Sequence, residues 1–313
     1  MPFLVLKVDV DTWRGTREGV PRLARLLRRQ GAGATFLFSL GPDHTGWALR
    51  RAFRPGFFGK VARTSVVEHY GWKTLMYGVL LPAPDIGLDC ATEMRAVRDD
   101  GFECGIHAWD HVLWQDNVRG RDPAWTRRQM RLAWERYADI FGEAPHTHGA
   151  AGWQMNAHAY AFLDEMGMPY ASDGRCRLGP SGALLDHADG PYRLRLAGGM
   201  RSCLQLPTTL PTLDELLGRR IGGRLVGPDT LDRELLRLTE APRDHVFTLH
   251  AELEGQRLAP TFERLLAGWR SQGYTLASLG DYYRSLQSTA LPACGTAWGE
   301  LPGRSGQLAL RSA

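Results

Sequence analysis

Two histidines four residues apart, His107 and His111 in Gly-Ile-His-Ala-Trp-Asp-His, speak most directly of chemistry. Neutral imidazole is the commonest metal ligand among side chains. If this stretch runs into a helix, one turn brings both rings onto one face and supplies half of a zinc-type site. The spacing also suits one buried, hydrogen-bonded histidine beside a solvated one. Upstream, Asp9 and Asp11 end the apolar run that begins at Phe3. Two positions apart in a strand, both carboxylates point to one side. Carboxylates buried together repel, so a cation or a proton must accompany them. A loop with solvated acids is the alternative.

The elements that must carry these groups follow from periodicity. Phe3 to Asp11 reads as a strand covered on both faces, being rich in Val and Leu without alternation. Val20, Leu23, Leu26 and Leu27 form a helical stripe that Gly31 ends, and Ala34 to Ser39 reads as a second strand. Strand, helix, strand implies a parallel pair. The alternation continues with a helix near Ala91 to Asp100 and a strand Phe102 to Ile106 delivering His107. Helices follow at Thr126 to Phe141 and Asn156 to Met166, then a short strand Pro169 to Ser172 ending at Asp173. Gly174 to Met200 reads as a loop. Cys203 to Leu206 reads as a strand, Pro228 to Thr239 as a helix, and His245 to Leu249 as a strand followed by His250. Helices near Phe262 to Gln272 and Ser278 to Leu286 flank a short strand at Tyr274. Residues 1–287 then make one α/β domain, a closed or nearly closed barrel, and the aperiodic tail 288–313 is expected to hold little structure. In such barrels reacting groups sit at the carboxyl ends of strands. Asp9, Asp11, His107, Asp173 and His250 all fall there.

The interval 47–81 departs from this pattern. Arg50, Arg51, Arg54, Lys60, Arg63 and Lys73 face the single acid Glu68, interleaved with Trp47, Phe53, Phe57, Phe58, Tyr70, Trp72 and Tyr77. That mixture suits an amphipathic segment lying in a membrane interface. Aromatics covering the barrel core, with arginines snorkelling to water, are the competing reading. A nucleic-acid platform lacks an accompanying recognition fold, and a net charge of +4 is too mild to suggest one. No run reaches the roughly 18 apolar residues that span a bilayer. Five cysteines, an odd number without a C-x-x-C pair, argue for free thiols in a reducing compartment. A cytoplasmic protein is the expectation.

Taken together, the motifs resemble those of the polysaccharide deacetylases, the NodB-homology carbohydrate esterases. Val8-Asp-Val-Asp-Thr12 is similar to the first motif, His107-Ala-Trp-Asp-His111 to the second, and Phe247-Thr-Leu-His250 to the last. Asp173 matches the fourth motif loosely. The arginine of the third motif is absent, Ala150-Ala-Gly-Trp153 standing in its place, and Arg175 is the substitute candidate for holding Asp9. Val10 to Pro21, Gly105 to His111, Ala150 to Trp153, Pro207 to Pro211 and Thr248 to Gly255 are similar, in this order, to one branch of the family. That branch deformylates a 4-formamido sugar carried on undecaprenyl phosphate, in the pathway that adds an amino sugar to lipid A.

The resemblance implies a distorted (β/α)7 barrel and a divalent metal (zinc, cobalt, manganese or iron) held by Asp11, His107 and His111. It implies Asp9 as general base and His250 as the acid for the departing amine, with Asp173 orienting His250. Asp110 and Glu252, beside these residues, are candidate outer partners. It further implies a glycolipid substrate, met by a peripheral protein at the inner leaflet. A cytoplasmic de-N-acetylase of another sugar would use the same residues with a different pocket. A non-catalytic carbohydrate-binding barrel would retain the ligands without turnover.

Overall fold

The computed structural model describes residues 1–48, 72–185, 189–304 and 306–312. Its strands and principal helices are, in chain order, β1 Phe3–Val10, α1 Val20–Arg29, β2 Thr35–Ser39, α2 Ala91–Asp99, β3 Glu103–Ala108, α3 His111–Asn117, α4 Pro123–Phe141, β4 Thr147–His148, α5 Ala157–Glu165, β5 Tyr170–Ala171, β6 Tyr192–Leu196, β7 Gly199–Gln205, β8 Arg220–Ile221, β9 Arg224–Leu225, α6 Leu231–Leu238, β10 His245–His250, α7 Ala259–Ser271, β11 Thr275–Ala277, α8 Leu279–Ser285, β12 Ala293–Gly299 and β13 Leu308–Ser312.

Strands β10, β1, β2, β3, β4, β5 and β7 are parallel neighbours in that order. The wall closes where Thr209, past the end of β7, donates its N–H to the Val246 carbonyl of β10 at 2.9 Å. Seven parallel staves, closed this way and short at β4 and β5, make the distorted (β/α)7 barrel. Parallel staves need cover on both faces, and β1 is buried from Leu4 to Val10. Helices supply the outer cover with one apolar stripe each: α1 turns Leu23, Leu26 and Leu27 inward and leaves its arginines in water. Asp122 caps α4 by accepting from the Trp125 N–H, and Pro123 occupies its first turn, so the helix starts earlier than the apolar stripe alone suggests.

Two regions are more ordered than their composition suggests. The expected loop Gly174 to Met200 contains β6, where Tyr192 and Leu194 are buried and Arg193 and Arg195 exposed, a period of two masked by the turn residues before it. The expected loose tail is a β hairpin: β12 pairs antiparallel with β13 and parallel with β6, extending the sheet. Leu308 and Leu310 gain their burial by packing with Trp153 and Leu178, long-range partners that no local period reveals. All five cysteines are buried free thiols. Among the described residues no helix is long and apolar enough to cross a membrane.

At the base of β10, His245 is buried, with Nδ1 at 3.1 Å from Thr209 Oγ1. Burial, helped by the charge of Arg243, depresses its pKa to about 3. An unfolded histidine protonates near pH 6.5. Between pH 6.5 and 3 the unfolded chain therefore binds the extra proton, and stability falls as pH drops through that window. The slope is about 1.4 kcal/mol per pH unit. Urea titrations of His245→Asn at a series of pH values should show this slope removed relative to the parent. An unchanged slope would assign the acid sensitivity elsewhere.

Candidate active site

The site assembles at the carboxyl ends of β1, β3 and β10. Register sets Asp9 of β1 beside His250 of β10 and Leu37 of β2. Two residues on, Asp11 lies just past the strand, where Glu252 Oε1 accepts the N–H groups of Asp11 at 3.0 Å and Thr12 at 2.9 Å. The Thr12 hydroxyl donates to the same oxygen at 2.9 Å, so one carboxylate from the β10 side fixes the turn that carries Asp11.

The histidine pair does not share a helix. His107 is the next-to-last residue of β3, and His111 is the first residue of α3, whose N-cap Asp110 accepts from the Leu113 N–H. This strand-to-helix corner brings the rings together at 5.3 Å between centroids. His107 Nδ1 lies 2.7 Å from the Gly149 carbonyl, so that nitrogen carries the hydrogen and Nε2 presents its lone pair. Asp11 Oδ1 is 3.2 Å from His107 Nε2 and 3.5 Å from His111 Nε2. Burial alone would raise the Asp11 pKa, but His111 and His107 outweigh it and hold the carboxyl well below the usual range.

These atoms fit a divalent metal. Asp11 Oδ1 and His107 Nε2 are buried without a hydrogen-bond partner, and ligand atoms of Asp11, His107 and His111 lie within 4.8 Å of one another. Tetrahedral ligands about 2.1 Å from a shared ion stand about 3.4 Å apart, close to the 3.2 and 3.5 Å that separate Asp11 Oδ1 from the two imidazole nitrogens. Two imidazoles and one carboxylate leave room for water and substrate oxygen.

Asp9 meets this trio from the side: its Oδ1 is 3.7 Å from His107 Nδ1, while Oδ2 is held by the Lys7 ammonium at 3.1 Å. Lys7, not Arg175, is therefore its cationic partner. Arg175 is buried elsewhere, giving two bonds of 2.7 and 3.0 Å to Glu215 and one of 3.1 Å to the Leu210 carbonyl. Sequence carried a signal for Lys7 in its place two residues before Asp9 on an otherwise apolar buried strand, hence on the same side.

The expected pairing of Asp173 with His250 is replaced by a different one. Asp173 Oδ1 is 2.6 Å from His148 Nδ1 and accepts the Ala150 N–H at 3.0 Å. It thus fixes the 148–150 segment whose Gly149 carbonyl orients His107. The carboxylate acting most strongly on His250 is Asp214. Burial pulls the His250 pKa down, but Asp214, then Asp11, Glu254 and Asp9 outweigh it and raise it above the ordinary value. Glu254 also accepts the His250 backbone N–H at 2.8 Å. Asp214 is in turn held by the Thr212 hydroxyl at 2.6 Å and faces Arg304 of the β12–β13 connection at 3.7 Å. Neither Asp214 nor Arg304 follows from motif spacing, because the first depends on where the 212–216 turn docks and the second on the tail folding back.

Beside the site, His44 Nδ1 is 2.5 Å from Asp110 Oδ2, and its ring stacks on Trp47 at 3.7 Å. The basic–aromatic interval thus departs next to the second histidine's helix. Its central residues 49–71, including Phe57 and Phe58, lie outside the described residues.

No protein-family profile matches the chain. A protein of Shewanella sediminis described as a "probable 4-deoxy-4-formamido-L-arabinose-phosphoundecaprenol deformylase" is 33% identical over 261 residues, covering 83% of this chain and 79% of that one. A protein of Wigglesworthia glossinidia brevipalpis with the same description is 28% identical over 297 residues, 94% of this chain and 97% of that one. Among solved structures, a "probable polysaccharide deacetylase" of Pseudomonas aeruginosa superposes with a TM-score of 0.56 at 16% identity, over 91% of each chain. That likeness is one of fold. With the first relative above and the geometry just described, the chain belongs to the 4-deoxy-4-formamido-L-arabinose-phosphoundecaprenol deformylase family, built on the polysaccharide deacetylase fold.

Proposed function

We propose that this chain, an amide hydrolase by family, removes the formyl group from 4-deoxy-4-formamido-L-arabinose carried on undecaprenyl phosphate. The product is the free 4-amino sugar, destined for lipid A. The observation that carries the reading is the trio Asp11, His107 and His111 at the same strand ends as Asp9 and His250, which are register neighbours on β1 and β10. A bound divalent cation supplies Lewis acidity to the carbonyl and acidity to its water. Asp9, whose Oδ1 is buried, without a hydrogen-bond partner and 3.7 Å from His107 Nδ1, accepts the proton of the attacking water. His250, raised in pKa, carries the proton that the departing amine needs, because an amine anion is too poor a leaving group. Asp214 supports its charge. Asp173 serves through His148 and Gly149, keeping His107 in the ligating tautomer.

Formate release from a short-chain formamido substrate by zinc- or cobalt-loaded protein tests the reading. The acetamido analogue, larger by one methyl, should be poorer by roughly 10- to 200-fold in kcat/KM. Acetate release at an equal or faster rate would make the protein a de-N-acetylase instead.

A lipid-linked substrate keeps its anchor in the bilayer, so the protein works peripherally at the inner leaflet. What supports this is the stretch returning from the basic–aromatic interval. Trp72 is 67% exposed and Leu80 76%, with Val79 and Leu88 also exposed nearby. Gly46 and Trp47 bond to the Tyr77 and Gly78 carbonyls, tying that stretch to the site mouth. Trp72→Ser with Leu80→Ser should weaken sedimentation with anionic vesicles and leave hydrolysis of a short-chain, detergent-free substrate intact. Unchanged vesicle binding would remove this surface from the account.

A further inference from the structure

Lys7 is fully buried inside the barrel, which is costly for an ammonium group without a purpose-built partner. Its surroundings are shaped around it. Gly149 has no side chain where a Cβ would come within 2.7 Å of the Lys7 Cε and 2.4 Å of Leu37. The Trp153 ring lies 5.0 Å from the Lys7 Nζ, face toward the charge, while Arg175 and Arg304 approach the same ring at 4.5 and 4.3 Å. Trp153 holds this place with φ of +53°, the one positive φ among the described residues that are not glycine. A bulky side chain is disfavoured in that conformation because its Cβ crowds the following carbonyl oxygen, a strain that the surrounding contacts must offset. Its Nε1 donates to Thr208 Oγ1 at 3.1 Å, locking the ring.

The consequence falls on Asp9. One of its oxygens is saturated by Lys7 at 3.1 Å, and the other, Oδ1, is left buried, unpaired and 3.7 Å from the His107 ring. A carboxylate free to turn would instead seek bonds for both oxygens. We propose that Lys7 is the positioning residue of Asp9, a clamp rising from the same strand that pins Oδ2 and leaves Oδ1 turned toward the His107 ring, one member of the metal trio. Trp153, held in its left-handed conformation, covers the ammonium with the face of its ring. The role rests on the amide-hydrolase reading above, but the placement of Asp9 can be read without turnover.

Lys7→Met keeps an unbranched side chain out to the Cε position and removes the ammonium beyond it. In the parent background kcat should drop by about 100-fold, the cost of a base misplaced by about an ångström. KM and the metal-to-protein ratio should stay within about twofold. In an Asp9→Asn background the same substitution should change kcat by less than about twofold, because the clamp then has no base to aim. Lys7→Arg, which restores a cation, should recover part of the loss. Crystals of Lys7→Met should show the Asp9 carboxylate rotated, with Oδ1 no longer facing His107. Equal losses in both backgrounds, or an Asp9 that keeps its position without Lys7, overturn the proposal. If the parent protein releases no formate, the substrate reading fails, and the Asp9 rotamer in Lys7→Met still decides the clamp.

Discussion

Asp9→Asn should lower kcat for formate release by roughly 100- to 10,000-fold, the usual contribution of a positioned general base, while the protein still binds its metal. The separation of these two effects follows from geometry. Asp11, His107 and His111 form the compact ligand set, whereas Asp9 stands beside it with one oxygen spoken for by Lys7. An asparagine keeps the shape and can still accept from the Lys7 ammonium through its amide oxygen, so the fold has little reason to suffer. What it cannot do is take up a proton. Metal content by atomic emission and kcat by formate detection check the two halves separately. Loss of the metal together with turnover would place Asp9 among the ligands instead.

The second large effect is expected at His107. Replacing it with Ala removes a ligand atom at the centre of the trio, 3.2 Å from Asp11, and leaves the buried Gly149 carbonyl without its donor. Losing merely an outer partner of a ligand typically costs about 10- to 100-fold in metal affinity, and losing the ligand itself should exceed that. Zinc affinity by competition with a chromophoric chelator should drop by more than 100-fold, and turnover should vanish at ordinary metal concentrations. Parent-like affinity would mean that the ion is held elsewhere.

How far the sequence reaches can be seen residue by residue. Asp9, Asp11, His107 and His250 sit at or just past strand ends, which are legible because the apolar residues of β1, β3 and β10 lead directly up to them. The parallel alternation also implied a barrel, and the parallel stave order, closed by Thr209 and Val246, conforms to it. Contacts made across long sequence separations were harder to read. The Asp173–His148 bond, the diversion of Arg175 to Glu215 and the arrival of Arg304 beside Asp214 each depend on where a distant segment docks. Motif spacing carries no information about that docking. The β12–β13 hairpin escaped for a related reason. β12 is largely unburied and rich in Gly and Ala, so its order comes from pairing with β6 and β13 rather than from local preference. Lys7 differs, since a lone lysine within a buried strand, in phase with two aspartates, already asked for an explanation.

The central claim is that one divalent ion sits where Asp11, His107 and His111 converge, beside the neighbouring pair Asp9 and His250. Crystals soaked in cobalt or zinc, measured at the metal's absorption edge, test it directly. A single anomalous peak within about 2.0–2.3 Å of Asp11 Oδ1 and the Nε2 atoms of His107 and His111 is the predicted result. A peak bound elsewhere, or none at saturating metal with the three side chains left as they are, would contradict it.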